Sequence, residues 1–350
     1  MSTLMFMSSR MLEAACHVPV LDPAHRSHRL HGHSYVIGVR APADSVGLDQ
    51  LESHFGAASD RLDYGLLNDY LDIPTDENLA RYIADALKPL DALTVSVQST
   101  LHQGVDLDRD GSAHLWRRFR FEAAHFLPNV PPGHQCGRMH GHGFEVILHV
   151  NQNVTGQDIG TDLDRLGELW DPIHQRLHRR CLNDIAGLEN PTSEMMAAWI
   201  WSQLKPVLDE LSWVTVYETA TAGCHYDGEH FRIWKEQRFE SAVVERGQLL
   251  GHSYITRLHL TAPLDQTLGW TVDYGDVRAA FEPVYRELDH HQLDVSIGID
   301  GGLTSILEWM RHRCSPVLPQ LDRIDLYETP HRGAFLHWGE AGPALPGPKP

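Results

Sequence analysis

The chain alternates apolar and polar positions over short stretches, then switches to helical spacing, and does so more than once. Arg118-Phe-Arg-Phe-Glu-Ala-Ala-His125 and Gly143-Phe-Glu-Val-Ile-Leu-His-Val150 carry the period of two that suits half-buried strands. From Leu163 to Leu177 the apolar residues fall at helical spacing, and Thr192-Ser-Glu-Met195 opens a second helix with a capping hydroxyl. Two more strands are expected at Trp213-Val-Thr-Val-Tyr-Glu-Thr219 and His230-Phe-Arg-Ile-Trp234. This unit reads ββααββ. No Pro/Gly/Ser linker separates it from its neighbours, so adjoining units are expected to be welded into one sheet and not strung as beads.

The same grammar recurs. Arg29-Leu-His-Gly-His-Ser-Tyr35, Arg138-Met-His-Gly-His-Gly-Phe144 and Gln248-Leu-Leu-Gly-His-Ser-Tyr254 align. Upstream stand Glu13-Ala-Ala-Cys16, Glu122-Ala-Ala-His125 and Glu240-Ser-Ala-Val243. Downstream come Leu62-Asp-Tyr-Gly-Leu-Leu-Asn68, Leu177-His-Arg-Arg-Cys-Leu-Asn183 and Leu288-Asp-His-His-Gln-Leu-Asp294, and then Gln98-Ser-Thr100, Tyr217-Glu-Thr219 and Tyr327-Glu-Thr329. Four markers in one order, with the shared glycine at 32, 141 and 251, describe a triplication. The expected units are 1–117, 118–236 and 237–340, with a Pro/Gly-rich tail over 341–350 expected to be disordered. Three such sheets could close into a barrel without edge strands.

Composition narrows the functional classes. At 42% hydrophobic and 22% charged residues the chain reads as an ordinary globular protein. Its apolar runs are too short for a membrane span, and the N-terminus has no signal-peptide pattern. Five scattered cysteines suit reduced thiols, and a cytoplasmic location is expected. A formal charge of −18 argues against a nucleic-acid partner. The 24 histidines direct attention to metal sites.

His140 and His142 share one face of a strand, and His125, closing the preceding strand, could reach them across the hairpin. Three His ligands with an open fourth position form the pattern of a catalytic zinc. Cys136, in the loop Pro131-Pro-Gly-His-Gln-Cys-Gly137, has three readings: a fourth ligand closing a structural site, a reactive thiol beside the metal, or an inert loop residue.

Phe121-Glu-Ala-Ala-His125, Cys136-x-x-x-His140-Gly-His142, Pro191-Thr-x-Glu194 and Tyr217-Glu-Thr219 resemble the 6-pyruvoyl-tetrahydropterin synthase and 6-carboxy-tetrahydropterin synthase family. The resemblance spans all three repeats. It implies an α+β tunnelling fold, in which ββααββ units form a pseudo-trimeric antiparallel barrel with helices outside. It also implies a lyase acting on 7,8-dihydroneopterin triphosphate. The product would be the 6-carboxy pterin of the queuosine path or the 6-pyruvoyl pterin of the biopterin path. Carried over, Zn2+ would sit on His125, His140 and His142, and Cys136 would act as base. Glu218 would hold the pterin's guanidine-like edge by charge-assisted hydrogen bonds. Thr192 and Glu194 fall in the family's pterin-side segment, although both also suit a helix cap. Glu328 could bind the pterin or serve packing.

The family's Asp-His pair comes from a neighbouring subunit, and here it stands in the third unit as Asp289-His290. That unit has Val243 and Leu250 where zinc ligands belong, while the second unit has His178-Arg179 where the pair belongs. The first unit has Asp63-Tyr64, with Ser27 in the cysteine's place and Cys16 (or the adjacent His17), His31 and His33 as ligands. Complementary losses leave one complete site per chain, between units two and three. Two such chains could pair to imitate the family's larger assembly. The competing readings are a non-catalytic pterin- or purine-binding protein retaining a structural zinc, and a metal-dependent hydrolase.

Overall fold

The computed structural model describes residues 2–90, 94–152, 163–245, 247–339, 342–343 and 347. Most of the tail expected to be disordered lies outside the described residues. The chain divides into two compact units: Leu4–Arg118 with His149–Leu166, and Phe119–Leu148 with Gly167–Pro350 and Met1–Thr3.

The first of these is built on β1 (Thr3–Cys16), β2 (His31–Pro42), α1 (Leu48–Ser59), α2 (Asp76–Leu87), β3 (Thr94–Thr100) and β4 (Gln103–Leu107), followed by β5 (Ala113–His125). The strands pair antiparallel in sequence order, β1 to β2 to β3 to β4 to β5. In β2, Tyr35, Ile37, Val39 and Ala41 are buried while the intervening residues are not, as a one-sided strand requires. Helix α2 starts where Thr75 accepts the Asn78 amide, and it packs on β3 and β4.

The second compact unit takes the C-terminal part of β5 and the N-terminal part of β6 (His140–Gln152), most of α3 (Leu163–Leu177), and α4 (Ser193–Leu204), β7 (Leu211–Thr219) and β8 (Ala222–Tyr226). It continues with β9 (Phe231–Glu245), β10 (Gln248–Thr261), α5 (Tyr274–Leu288), α6 (Leu303–Cys314), β11 (Leu321–Thr329) and β12 (Arg332–His337). Its strand order is β5-β6-β7-β8-β9-β10-β11-β12. Helix α4 covers β7 and β8, α5 covers β9, and α6 covers β11 and β12. Phe121 and Phe144 stack 5.0 Å apart across β5 and β6, and both are fully buried along with Trp234 and Phe239. Each such ring contributes about 1.5–3 kcal/mol by leaving water.

The architecture is the expected α+β one, with antiparallel strands in repeated ββααββ units. One expected element is corrected. His230 to Trp234 is not the last strand of the second repeat but the start of β9, which runs unbroken to Glu245; the repeat's last strand is β8. The expected divisions after residues 117 and 236 therefore fall inside β5 and β9.

Candidate active site

Because neighbouring strands are antiparallel, β5, β7 and β9 run the same way. Their C-terminal ends carry His125 on β5 and Glu218 on β7. The β5–β6 hairpin places His140 and His142 beside His125, whose ring lies 4.4 Å from that of His140 and 5.1 Å from that of His142. Gly141 between the two lies where a Cβ would approach the Ala123 carbonyl oxygen to 3.0 Å, tighter than most such contacts.

Each ring is turned the same way. The Nδ1 of His140 lies 2.8 Å from the Arg138 carbonyl, that of His142 is 3.3 Å from the Gly143 carbonyl, and that of His125 is 3.3 Å from the Pro191 carbonyl. A carbonyl only accepts, so Nδ1 carries the proton in each ring and Nε2 presents a lone pair. The Nε2 atoms of His125 and His142 then face each other at 3.3 Å. Two lone pairs at that separation repel unless a cation lies between them. One nitrogen from each of the three rings falls within 4.8 Å of the others, and Cys136 is not part of that cluster. Burial, with the neighbouring imidazoles, holds His125 down to about 4, and burial lowers His142. The rings of His125 and His142 are therefore neutral donors at physiological pH. The donor set fits a divalent metal, with the carbonyls orienting each ligand.

Around the cluster, residues 267–274 of the third repeat fold over the second. Asn129 and Asn190 donate to the carbonyls of Thr267 and Leu268, each at 2.7 Å, and the Thr192 hydroxyl donates to the Gly269 carbonyl at 2.5 Å. Thr192 also caps α4 by accepting the Met195 amide. Glu194 accepts from the Thr271 amide and hydroxyl on one oxygen and from Ser193 on the other. Ser193 meets the Tyr274 hydroxyl at 2.9 Å and hydrogen-bonds Glu218. His134 accepts the Cys136 amide on Nδ1, and its Nε2 lies 3.5 Å from the Asp273 carboxylate. Thr192 and Glu194 thus fasten the segment from the third repeat.

Sequence reasoning missed Asp273, Thr271 and Tyr274. The only local signal was Asp273, an N-cap that accepts the Gly275 and Asp276 amides ahead of α5.

Carboxyl groups crowd one another near the thiol. Burial, with Glu194 and Asp273 nearby, pushes the half-buried Glu218 up to about 7, against the pull of Lys235. Burial raises the Cys136 thiol, and the Glu218 and Asp273 carboxylates raise it further. Without an opposing cation Cys136 is a thiol, whereas a base needs the thiolate.

The remaining expected residues lie apart. Asp289 follows α5, accepts the Glu240 amide at 2.9 Å and holds the His290 Nδ1 at 2.8 Å. Despite the burial that raises it, Asp289 is held below the usual carboxylate range by that amide and by His290. Among the described residues no hydrogen bond or ion pair links this pair to Cys136 or to the three histidines. Glu328 accepts from Arg332 at 2.8 Å across the β11–β12 turn.

Antiparallel ββααββ repeats carrying a three-imidazole cluster, with a thiol and interacting carboxylates in the same repeat, are the features of a synthase-type lyase. The chain belongs to the 6-pyruvoyl tetrahydropterin synthase family, whose model matches it three times, over residues 6–102, 114–229 and 232–337. It is similar to the 6-carboxy-5,6,7,8-tetrahydropterin synthase of Synechocystis sp., at 38% identity over 119 residues covering 32% of this chain and 91% of that protein. Among solved structures it resembles the Caenorhabditis elegans 6-pyruvoyl tetrahydropterin synthase at 17% identity, covering 31% of this chain and 95% of that one with a TM-score of 0.28. It also resembles a uricase from Bacillus fastidious at 8% identity, covering 71% and 90%, with a TM-score of 0.28. No helix among the described residues is long and apolar enough to cross a membrane.

Proposed function

We propose that the chain is a zinc-dependent lyase that converts 7,8-dihydroneopterin triphosphate to 6-carboxy-5,6,7,8-tetrahydropterin at one site per chain, between the second and third repeats. The observation that carries this reading is the convergence of three imidazole nitrogens in a repeat whose Cys136 and Glu218 interact electrostatically, bound to a segment supplied by the third repeat. The name of the Synechocystis relative favours the carboxy product over the pyruvoyl one.

His125, His140 and His142 would hold the zinc, which supplies Lewis-acid polarisation of a substrate oxygen and a positive charge near Cys136. Glu218 binds the pterin's paired N–H donors through its two oxygens, and its position at the end of β7 fixes the ring relative to the hairpin. Cys136, held in its loop by the contact of its amide with His134, takes the side-chain proton as thiolate. Asp289-His290 is the second proton-transfer pair. What supports that assignment is an imidazole already oriented by its carboxylate, not contact with Cys136. Residues 267–274 exclude water from the pterin face.

Turnover of 7,8-dihydroneopterin triphosphate by the zinc-loaded chain tests the proposal, with product mass identifying the branch. An active wild type and an inactive Cys136→Ala variant support it. A chain that binds the pterin without turnover refutes it.

A further inference from the structure

We infer that the first repeat holds a second metal ion, a Zn2+-class cation on the thiolate of Cys16 and the imidazoles of His31 and His33, in a centre without lyase chemistry. This goes beyond the proposed function; only the zinc ion of the second repeat and the turnover readout in the test below rest on that reading.

The ligand atoms of Cys16, His31 and His33 lie within 4.8 Å of one another. β1 and β2 pair so that Cys16 stands opposite His31 and Ala14 opposite His33, and Cys16 Sγ lies 3.6 Å from His31 Nε2. The His31 Nδ1 lies 2.7 Å from the Arg29 carbonyl, so Nε2 points its lone pair at the sulfur. The sequence alone left Cys16 and His17 as rival ligands, and the structure decides between them. Asn68 clamps both backbone groups of His17 just as Asn183 clamps those of Phe126. Cys16 therefore occupies the place of His125, and His17 that of Phe126.

The surroundings have been rebuilt to suit sulfur. Where the second repeat has Phe144, the first has Tyr35, whose hydroxyl lies 3.5 Å from Cys16 Sγ and can donate to a thiolate. The third repeat has the tyrosine without the cysteine: Val243 stands at the ligand position, and the Tyr254 hydroxyl is buried with no hydrogen-bond partner. The tyrosine hydroxyl thus loses its partner where the sulfur is lost. The equipment for turnover is absent. Ser27 replaces the base, and Ser99 replaces the anchoring Glu218. On the helix side Glu77 stands in the place of Glu194, and Asp76 accepts from Ser99 at 2.6 Å. One sulfur and two imidazole nitrogens form a soft donor set typical of zinc.

Metal content and a cobalt spectrum test the inference on the full chain. Wild type is expected to carry two zinc ions per chain, His140→Ala one, and Cys16→Ala or His31→Ala one. With Co2+, a thiolate-to-metal charge-transfer band in the near ultraviolet should appear in wild type and in His140→Ala and vanish in Cys16→Ser, while Cys16→Ser keeps pterin turnover. The His140→Ala arm leaves the first repeat untouched and decides the matter even if Cys16 variants fail to fold. One zinc in wild type with none in His140→Ala overturns the inference. So does a second metal whose cobalt form shows no thiolate band, because the sulfur would then not be a ligand.

Discussion

Replacing Glu218 by Gln is expected to move activity and stability in opposite directions. A carboxylate facing two N–H donors makes two charge-assisted hydrogen bonds, each worth roughly 1.5–3 kcal/mol. Gln keeps one acceptor and turns an N–H2 toward the donors, so a loss of about 3–5 kcal/mol, or roughly 10²–10⁴ in kcat/KM, follows. Stability responds to the other side of the same burial. Glu218 is pushed up from an ordinary 4.5 to about 7. The folded chain thus holds this proton more tightly than the unfolded one. Wild-type stability falls as pH rises from 4.5 toward 7 and is level above that, and a neutral Gln escapes the loss. At 1.36 kcal/mol per tenfold the full cost is about 3 kcal/mol, and solvent reaching the half-buried side chain reduces it to about 1.5–3. Chemical unfolding at pH 5 and pH 8, beside kcat/KM at pH 8, measures both effects. Equal destabilisation of the variant at both pH values would refute the reasoning, since the carboxylate would then be a net stabilising partner of the fold.

Four further outcomes are expected. His140→Ala should lose the metal of the second repeat and at least a thousandfold in turnover, read by metal analysis beside the assay. Asp273→Asn keeps an N-cap on α5 but removes an anion that raises Cys136, so alkylation of that thiol should titrate at lower pH with little change in melting temperature. Lys235→Gln removes the cation that pulls Glu218 down, so the acid limb of kcat/KM should move to higher pH; an unmoved limb would mean that Glu218 does not set it. His290→Ala should lower kcat with KM little changed, and full activity would remove the pair from the mechanism.

The periodic elements were legible in the sequence. Residues Leu163–Leu177 form α3 over the expected span, and Thr192 is the N-cap its position suggested. The short β8 was not legible, for a physical reason. It is buried on both faces and so has no alternation, and it contains Gly223 because a Cβ there would strike the Trp234 ring at 2.3 Å. A strand without a period of two, interrupted by glycine, reads as a turn. The histidine cluster was legible because its spacing is local. The segment over residues 267–274 was not, because its bonds join residues some 77 apart, as Thr271 does with Glu194, and neither end carries a pattern that announces the other.

The three repeats also separate what the fold requires from what the chemistry requires. Tyr64, Arg179 and His290 all sit at positive φ, 54°, 57° and 59°, and each donates its amide to the glutamate of its own repeat's first strand, Glu13, Glu122 or Glu240. The preceding residue, Asp63, His178 or Asp289, accepts that glutamate's amide in every case. Backbone strain at a bulky residue often marks a functional site, but here it recurs with three different side chains, so it belongs to the turn. Asp289 likewise has a structural task that His178 performs as well. What is peculiar to the third repeat is the imidazole of His290, oriented by Asp289 and mostly open to solvent. Any catalytic contribution from this corner must therefore act through that ring, with the carboxylate orienting it, and not through the strain.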